Sequence, residues 1–190
     1  YSEKEFIYKE NDRPNFLYFL VKGKVKSFRT NEIGKEFISQ IYVPGNFIGY
    51  NDLLRGKKYE ETTMALEATE VSIIPKKDFL TLLHNDRNFS AQFIKILANN
   101  VEEKEAHLLS LAYDSIRRRV ADVLLDLDTR YQKDGETKIE IYREDLANLV
   151  GTSKETVIRT LSDFKKEKSI SIEKSVIQVL DRRKLEEMPC

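Results

Sequence analysis

Gly151 stands between two short amphipathic runs, and that setting constrains the chain more than any other feature of its sequence. Before it, Arg143–Val150 places Leu146, Ala147 and Val150 on one side of a helix. After it, Ser153 has the chemistry of an N-cap, and the run through Phe164 turns Val157 and Leu161 inward, four residues apart. Glycine supplies the positive φ that a tight turn between two helices requires, and Ala147 is small where the helices must approach. This is helix-turn-helix spacing. Downstream, a strand Ile170–Ile172, a tight turn at Glu173-Lys174-Ser175, a strand Val176–Leu180 and a terminal helical turn capped by Asp181 complete a winged version, although the wing turn has no glycine.

The second helix leaves Lys154, Glu155, Ile158 and Arg159 outward. Lys154 and Arg159 can donate to guanine O6 and N7 or to phosphate, and Glu155 can accept from cytosine N4; Ser153 and Thr156 suit phosphate or a thymine methyl. Charge alone argues less: residues 130–190 carry 13 basic and 12 acidic side chains, a surplus of one. A purely structural helical hairpin with ordinary surface charges is the competing reading of this segment.

Upstream, from Tyr1 to about Lys77, short β-rich segments alternate with turn residues. Phe16–Val21 is an apolar run of strand length, broken by Lys22-Gly23, and period 2 resumes until Thr30–Gly34, which reads as a hairpin. A strand at Lys35–Tyr42 meets Pro44-Gly45-Asn46, a polar loop is expected through Lys58, and strands follow near Thr62–Leu66 and Glu70–Ile74. Many short strands at this spacing predict a small barrel or roll.

At Lys76 the period changes. Asp78 is expected to cap a short helix, and Asn85-Asp86 breaks it before a longer pattern from about Asn88 to Ala112, free of Gly and Pro. Phe89, Phe93, Ile96, Leu97, Val101, Leu108 and Leu111 recur there at threes, fours and sevens. A helix of about 25 residues is roughly 37 Å long, more than one small domain needs. An intermolecular seam through Phe93, Leu97, Val101, Leu108 and Leu111 explains that length; the alternative is one amphipathic helix packed on its own roll. Tyr113-Asp114-Ser115 reads as a hinge, with Ser115 capping a helix Ile116–Leu127. Arg117-Arg118-Arg119 at its start either faces phosphate or forms a salt-bridged surface. A polar loop containing Lys133-Asp134-Gly135-Glu136 leads to a short strand, Lys138–Ile141.

Composition limits the chemistry. Thirty-two Lys and Arg balance thirty-two Asp and Glu in 190 residues, so nucleic-acid binding must come from a local patch. Cys190 is the single cysteine, which excludes an internal disulfide, an iron–sulfur cluster and a cysteine zinc site. His84 and His107 lack metal-ligand spacing, so no metal is expected, and a haem lacks an evident axial pair. No apolar run approaches the about 20 residues of a membrane span, and the first residues do not read as a signal peptide, so a cytoplasmic protein without membrane contact is expected. A chain that opens at Tyr1 is expected to lack its native N-terminal residues. No paired catalytic carboxylates, nucleophile–base pair, P-loop or dinucleotide fingerprint is present, which argues against an enzyme.

The order of roll, long helix, hinge and winged helix resembles the bacterial cyclic-AMP receptor protein and fumarate–nitrate regulator (CRP/FNR) superfamily of dimeric transcription factors. The resemblance covers essentially the whole chain and rests on Phe16-Leu-Tyr-Phe-Leu-Val-Lys-Gly-Lys-Val25, Pro44-Gly-Asn-Phe-Ile-Gly49 and Arg143-Glu-Asp-Leu-Ala-Asn-Leu-Val-Gly-Thr-Ser-Lys-Glu-Thr-Val-Ile-Arg159. It implies an α+β fold: a cyclic-nucleotide-binding-like β-roll (jelly roll) over 1–87, a dimerisation helix and hinge over 88–114, and a winged helix-turn-helix over 115–190. It puts Ser153, Lys154, Glu155 and Arg159 at base- and phosphate-reading positions and Arg143 at a phosphate-contacting one. With Thr152 and Thr156 these form the candidate DNA-binding set. The partners expected are double-stranded DNA, a second copy of the chain, and RNA polymerase.

The effector does not follow from the resemblance. Cyclic-nucleotide binders of this superfamily place Gly-Glu after Phe-Ile and an Arg-Ser or Arg-Thr pair further on, for the ribose hydroxyl and the cyclic phosphate. This chain has Gly49-Tyr50 and Glu61-Thr62 there, and Lys104 where the long helix would meet the base. Binding of cyclic AMP in the usual way is therefore not expected, and no cofactor is assigned. A protein-binding or signalling module that has lost DNA recognition is the alternative.

Overall fold

The computed structural model describes residues 1–132 and 138–189; the loop expected at Lys133–Glu136 and the terminal Cys190 lie outside them. The chain divides into two compact units, Tyr1–Glu103 and Lys104–Cys190.

The first unit is built on β1 (Phe6–Tyr8), β2 (Phe16–Lys22), β3 (Val25–Thr30), β4 (Glu36–Tyr42), β5 (Phe47–Ile48), α1 (Tyr50–Arg55), β6 (Thr62–Ala65), β7 (Glu70–Pro75) and α2 (Lys76–Asn85). Two antiparallel sheets, β1-β6-β3-β4 and β5-β2-β7, form the roll. The apolar run that predicts β2 is the centre of the smaller sheet, with Leu17 and Leu20 fully buried. Gly23 makes the bend between β2 and β3 at φ 93°, and a Cβ there would stand 2.7 Å from the Ala68 carbonyl oxygen.

Two expectations fail in this unit. Part of the segment expected as a polar loop through Lys58 is the helix α1, because Gly49 and Gly56 adopt left-handed conformations at its two ends and Leu53 drops into the core. Six residues between glycines are too few to show a helical period. Asp78 does not cap α2: Pro75 holds the N-cap position without a side-chain hydrogen bond, and Asp78 sits in the first turn, where its charge favours the helix dipole.

The long helix α3 runs Arg87–Tyr113, 27 residues and about 40 Å. Asp86 caps it, its carboxylate accepting from the amides of Asn88 and Phe89 at 2.9 and 3.0 Å. The division between the units falls inside this helix, which both share. Its first half packs Phe93 against Phe79, Leu17, Tyr50 and Leu53, with Phe89, Ile96 and Leu97 at the edge of that cluster.

The second unit holds the rest of α3, then α4 (Ile116–Arg130), β8 (Ile139–Glu140), α5 (Arg143–Val150), α6 (Lys154–Lys166), β9 (Ile170–Glu173), β10 (Val176–Val179) and α7 (Arg182–Glu186). Ser115 caps α4 as expected, accepting from the Arg118 amide. Val120, Leu124 and Leu127 of α4, Leu146 and Ala147 of α5, and Val157, Leu161 and Phe164 of α6 form the buried side of these helices. Burial of each of these Val, Leu and Phe side chains contributes about 1.5–3 kcal/mol. The antiparallel sheet β8-β10-β9 completes the unit.

Candidate nucleic-acid interface

The α5–turn–α6 segment is fixed from both sides. Gly151 closes α5 at φ 74°, its amide and that of Thr152 both bonding the Ala147 carbonyl at 2.9 and 3.0 Å. A Cβ on Gly151 would also lie 3.0 Å from the Leu111 side chain, so backbone conformation and space both favour glycine. Ser153 caps α6: its Oγ accepts from the Thr156 amide at 3.2 Å and lies 3.0 Å from the Thr156 hydroxyl. These two hydroxyls serve the fold first.

With Val157, Thr160, Leu161 and Phe164 buried, α6 exposes Lys154, Glu155, Ile158, Arg159 and Ser162. The Glu155 carboxyl is held below its ordinary pKa by its own backbone amide and then by Ser153. Lys154 reaches Glu144 of α5 at 3.7 Å, an exposed pair that competing phosphate can displace at little cost. Arg159 has no hydrogen-bond or ion-pair partner among the described residues. Thr152 is half-buried at the turn.

Arg143 is more embedded than its spacing implies. It is half-buried, its Nη1 donates to the carbonyls of Ile141 at 3.2 Å and Ser175 at 3.4 Å, and desolvation lowers its pKa from the ordinary guanidinium value. It ties the first helix of the motif to the wing turn. That turn works without glycine because Lys174 itself adopts the left-handed region, φ 54°. The basic triplet is turned to internal contacts: Arg117 pairs with Glu167 at 2.8 Å, Arg118 with Asp122 at 3.0 Å, and Arg119 donates to the Val150 carbonyl at 3.1 Å, at the negative end of α5.

Of the effector-type residues, Gly49 and Tyr50 stand together at the start of α1. Tyr50 is 5% exposed, packs edge-on against Phe93 and accepts a hydrogen bond from the Asn100 side chain; burial raises its pKa. Tyr8 and Tyr59 stack at 3.7 Å beside Gly49, where a Cβ would come within 3.2 Å of the Tyr59 hydroxyl. Glu61 lies 3.6 Å from Arg29, and the Thr62 hydroxyl accepts from the Glu10 amide at 3.1 Å. Lys104 is exposed and belongs to the second unit.

The expected seam residues of α3 part company. Phe93 is 2% exposed in the core of the first unit, Leu97 packs on that core, and Leu111 lies against Gly151. Val101 and Leu108 stand 58% and 65% exposed. Ile94, seven residues before Val101 and 63% exposed, shares their row at a heptad offset.

Comparison with known proteins bears on the whole arrangement. The family described as the cyclic nucleotide-binding domain matches residues 1–86, and the Crp-like helix-turn-helix domain matches residues 118–188. The chain belongs to the CRP/FNR family. Among relatives of this CRP/FNR chain, the fumarate and nitrate reduction regulatory protein of Vibrio cholerae is 26% identical over 186 residues, 96% of this chain and 74% of the relative. The cyclic AMP receptor protein of Thermus thermophilus is 29% identical over 188 residues, 99% of this chain and 86% of the relative. FixK2 from Bradyrhizobium japonicum shares the fold, with a TM-score of 0.92 and 24% identity over 100% of this chain and 95% of that one. The chain is a CRP/FNR-type DNA-binding transcriptional regulator, and α5, α6 and the wing lie within the residues that match the helix-turn-helix family. No described helix is long and apolar enough to cross a membrane.

Proposed function

We propose that the chain acts in the cytoplasm as a homodimer that lays α6 of each copy into the major groove of a near-palindromic duplex, without cyclic AMP bound in the usual way and without catalytic activity. In this reading residues 1–87 are an effector-type roll, 88–114 the dimerisation helix and hinge, and 115–190 the DNA-binding domain. Two recognition helices related by two-fold symmetry stand about 34 Å apart and meet successive major grooves. RNA polymerase is a partner through which such a dimer acts on transcription.

The observation that carries the reading is the outward side of α6. Lys154, Glu155 and Arg159 present two cations and a carboxylate above a helix start pinned by Ser153 and Gly151, and Arg159 is not engaged within the described residues. The effector part rests on Tyr50, which brings no carboxylate to a ribose hydroxyl and whose hydroxyl is already bonded to Asn100, and on Glu61, whose charge repels a phosphate.

Selection of a random duplex library by the purified protein without added ligand tests the reading. Enrichment of a two-fold symmetric motif is expected. Enrichment of an asymmetric site overturns the dimer, and failure to enrich any duplex means either that an unidentified ligand must first align the two recognition helices or that the protein-binding alternative holds. Titration calorimetry with cyclic AMP is expected to show no binding at micromolar concentration; tight binding overturns the effector part.

A further inference from the structure

Resting on the reading that α6 enters the major groove, we propose that Ile158 is a base-reading residue that packs on the 5-methyl group of thymine. Ile158 is the one apolar side chain among the outward residues Lys154, Glu155, Ile158, Arg159 and Ser162, and it is 45% exposed. It lies four residues after Lys154, three after Glu155 and next to Arg159, on the face where the hydrogen-bonding groups stand.

The buried core of α6 is complete without it and gives no reason for it. The packing side of α6 is supplied by Val157, Thr160, Leu161 and Phe164, all buried, and a β-branched residue on an exposed helix face is a weaker helix former than Ala, Lys or Glu. The major groove supplies one. Beside its donors and acceptors it presents a single apolar feature, the thymine methyl, and an apolar side chain meets that methyl without stripping water from a polar group. Isoleucine has one strongly preferred χ1 rotamer in a helix, so its methyls are presented in a set direction with little rotamer freedom to lose on contact. Lys154, Glu155 and Arg159 read hydrogen-bonding edges, and Ile158 adds the discrimination they lack, between thymine and a pyrimidine without the methyl.

In the duplex enriched by the protein, each thymine is replaced in turn, symmetrically in both half-sites, by deoxyuridine, which removes only the methyl. Dissociation constants are measured by fluorescence anisotropy for the natural chain and for Ile158→Ala. At one thymine position the natural chain is expected to weaken about fourfold per methyl removed, about fifteenfold for the pair. Ile158→Ala is expected to bind the thymine duplex more weakly, to respond equally to thymine and deoxyuridine at that position, and to keep the melting temperature of the natural chain. Insensitivity of the natural chain to every replacement overturns the inference, as does an unchanged thymine preference in Ile158→Ala. A library from which no duplex is enriched counts against the reading of α6 and against this inference with it, whereas an enriched duplex that does not respond to deoxyuridine counts against this inference alone, so the two failures are distinguishable.

Discussion

Arg159 and Gly151 lie eight positions apart and fail in different ways when changed. Arg159 is exposed and supports nothing in the described fold, so Arg159→Ala leaves the melting temperature unaltered. On the cognate duplex it costs about 1–3 kcal/mol, and much less on random duplex, when the guanidinium reads a base edge; equal losses on both in an anisotropy titration assign it to phosphate. Gly151→Ala acts on the fold. A side chain there occupies the left-handed region and meets Leu111, so the winged-helix unit loses about 1–2 kcal/mol and melts several degrees lower by calorimetry. Gly151 was legible in the sequence because its signal is local: an apolar triplet before it, a capping serine two residues after. Arg143 was less so, since its bond to Ser175 joins residues 32 apart and no spacing rule connects them. Tyr50 was read from what it lacks, a carboxylate; its bond to Asn100 links α1 to α3 and could not be read from either segment alone.

Among the elements, α3 shows best where periodicity stops being informative. Its apolar residues satisfied two readings, a seam between copies and a helix packed on its own roll, and the structure divides them by face. Phe89, Phe93, Ile96 and Leu97 turn to the roll, while Ile94, Val101 and Leu108 remain outside. Phe93 and Ile94 are neighbours in sequence and about 100° apart around the axis. Hydrophobicity is the same for both, and only the tertiary packing tells them apart. If the outward row is the contact between copies, the double variant Val101→Glu, Leu108→Glu sediments as a monomer and loses tight DNA binding. A dimer that persists in sedimentation places the contact elsewhere. The helix-turn-helix and wing were legible nearly to the residue, because caps and turns mark their ends. The helix α1 was not, since six residues cannot display a period.

For the molecule as a whole, the charge balance sets what kind of DNA binder it can be. Net charge is zero over the chain, and residues 130–190 have a surplus of one positive charge, so long-range attraction to a duplex is weak. Affinity must come from a few placed contacts. Random duplex is therefore bound poorly at physiological salt, while the specific complex loses affinity linearly on a log–log salt plot, by about 0.9 per phosphate neutralised. A flat salt plot contradicts phosphate contact and supports binding to a protein partner instead.

The 27 residues of α3 contain neither glycine nor proline, and the boundary between the units lies within them. Along an α-helix each residue adds about 100° of rotation. One residue inserted in the exposed stretch Glu102–Glu105 turns the rest of α3 by about 100° about its own axis, whereas seven residues return its faces to within about 20° of their starting bearing. Transcription output plotted against insertion length should therefore oscillate with the helical repeat instead of declining steadily, as a compass needle answers to heading and not to distance travelled.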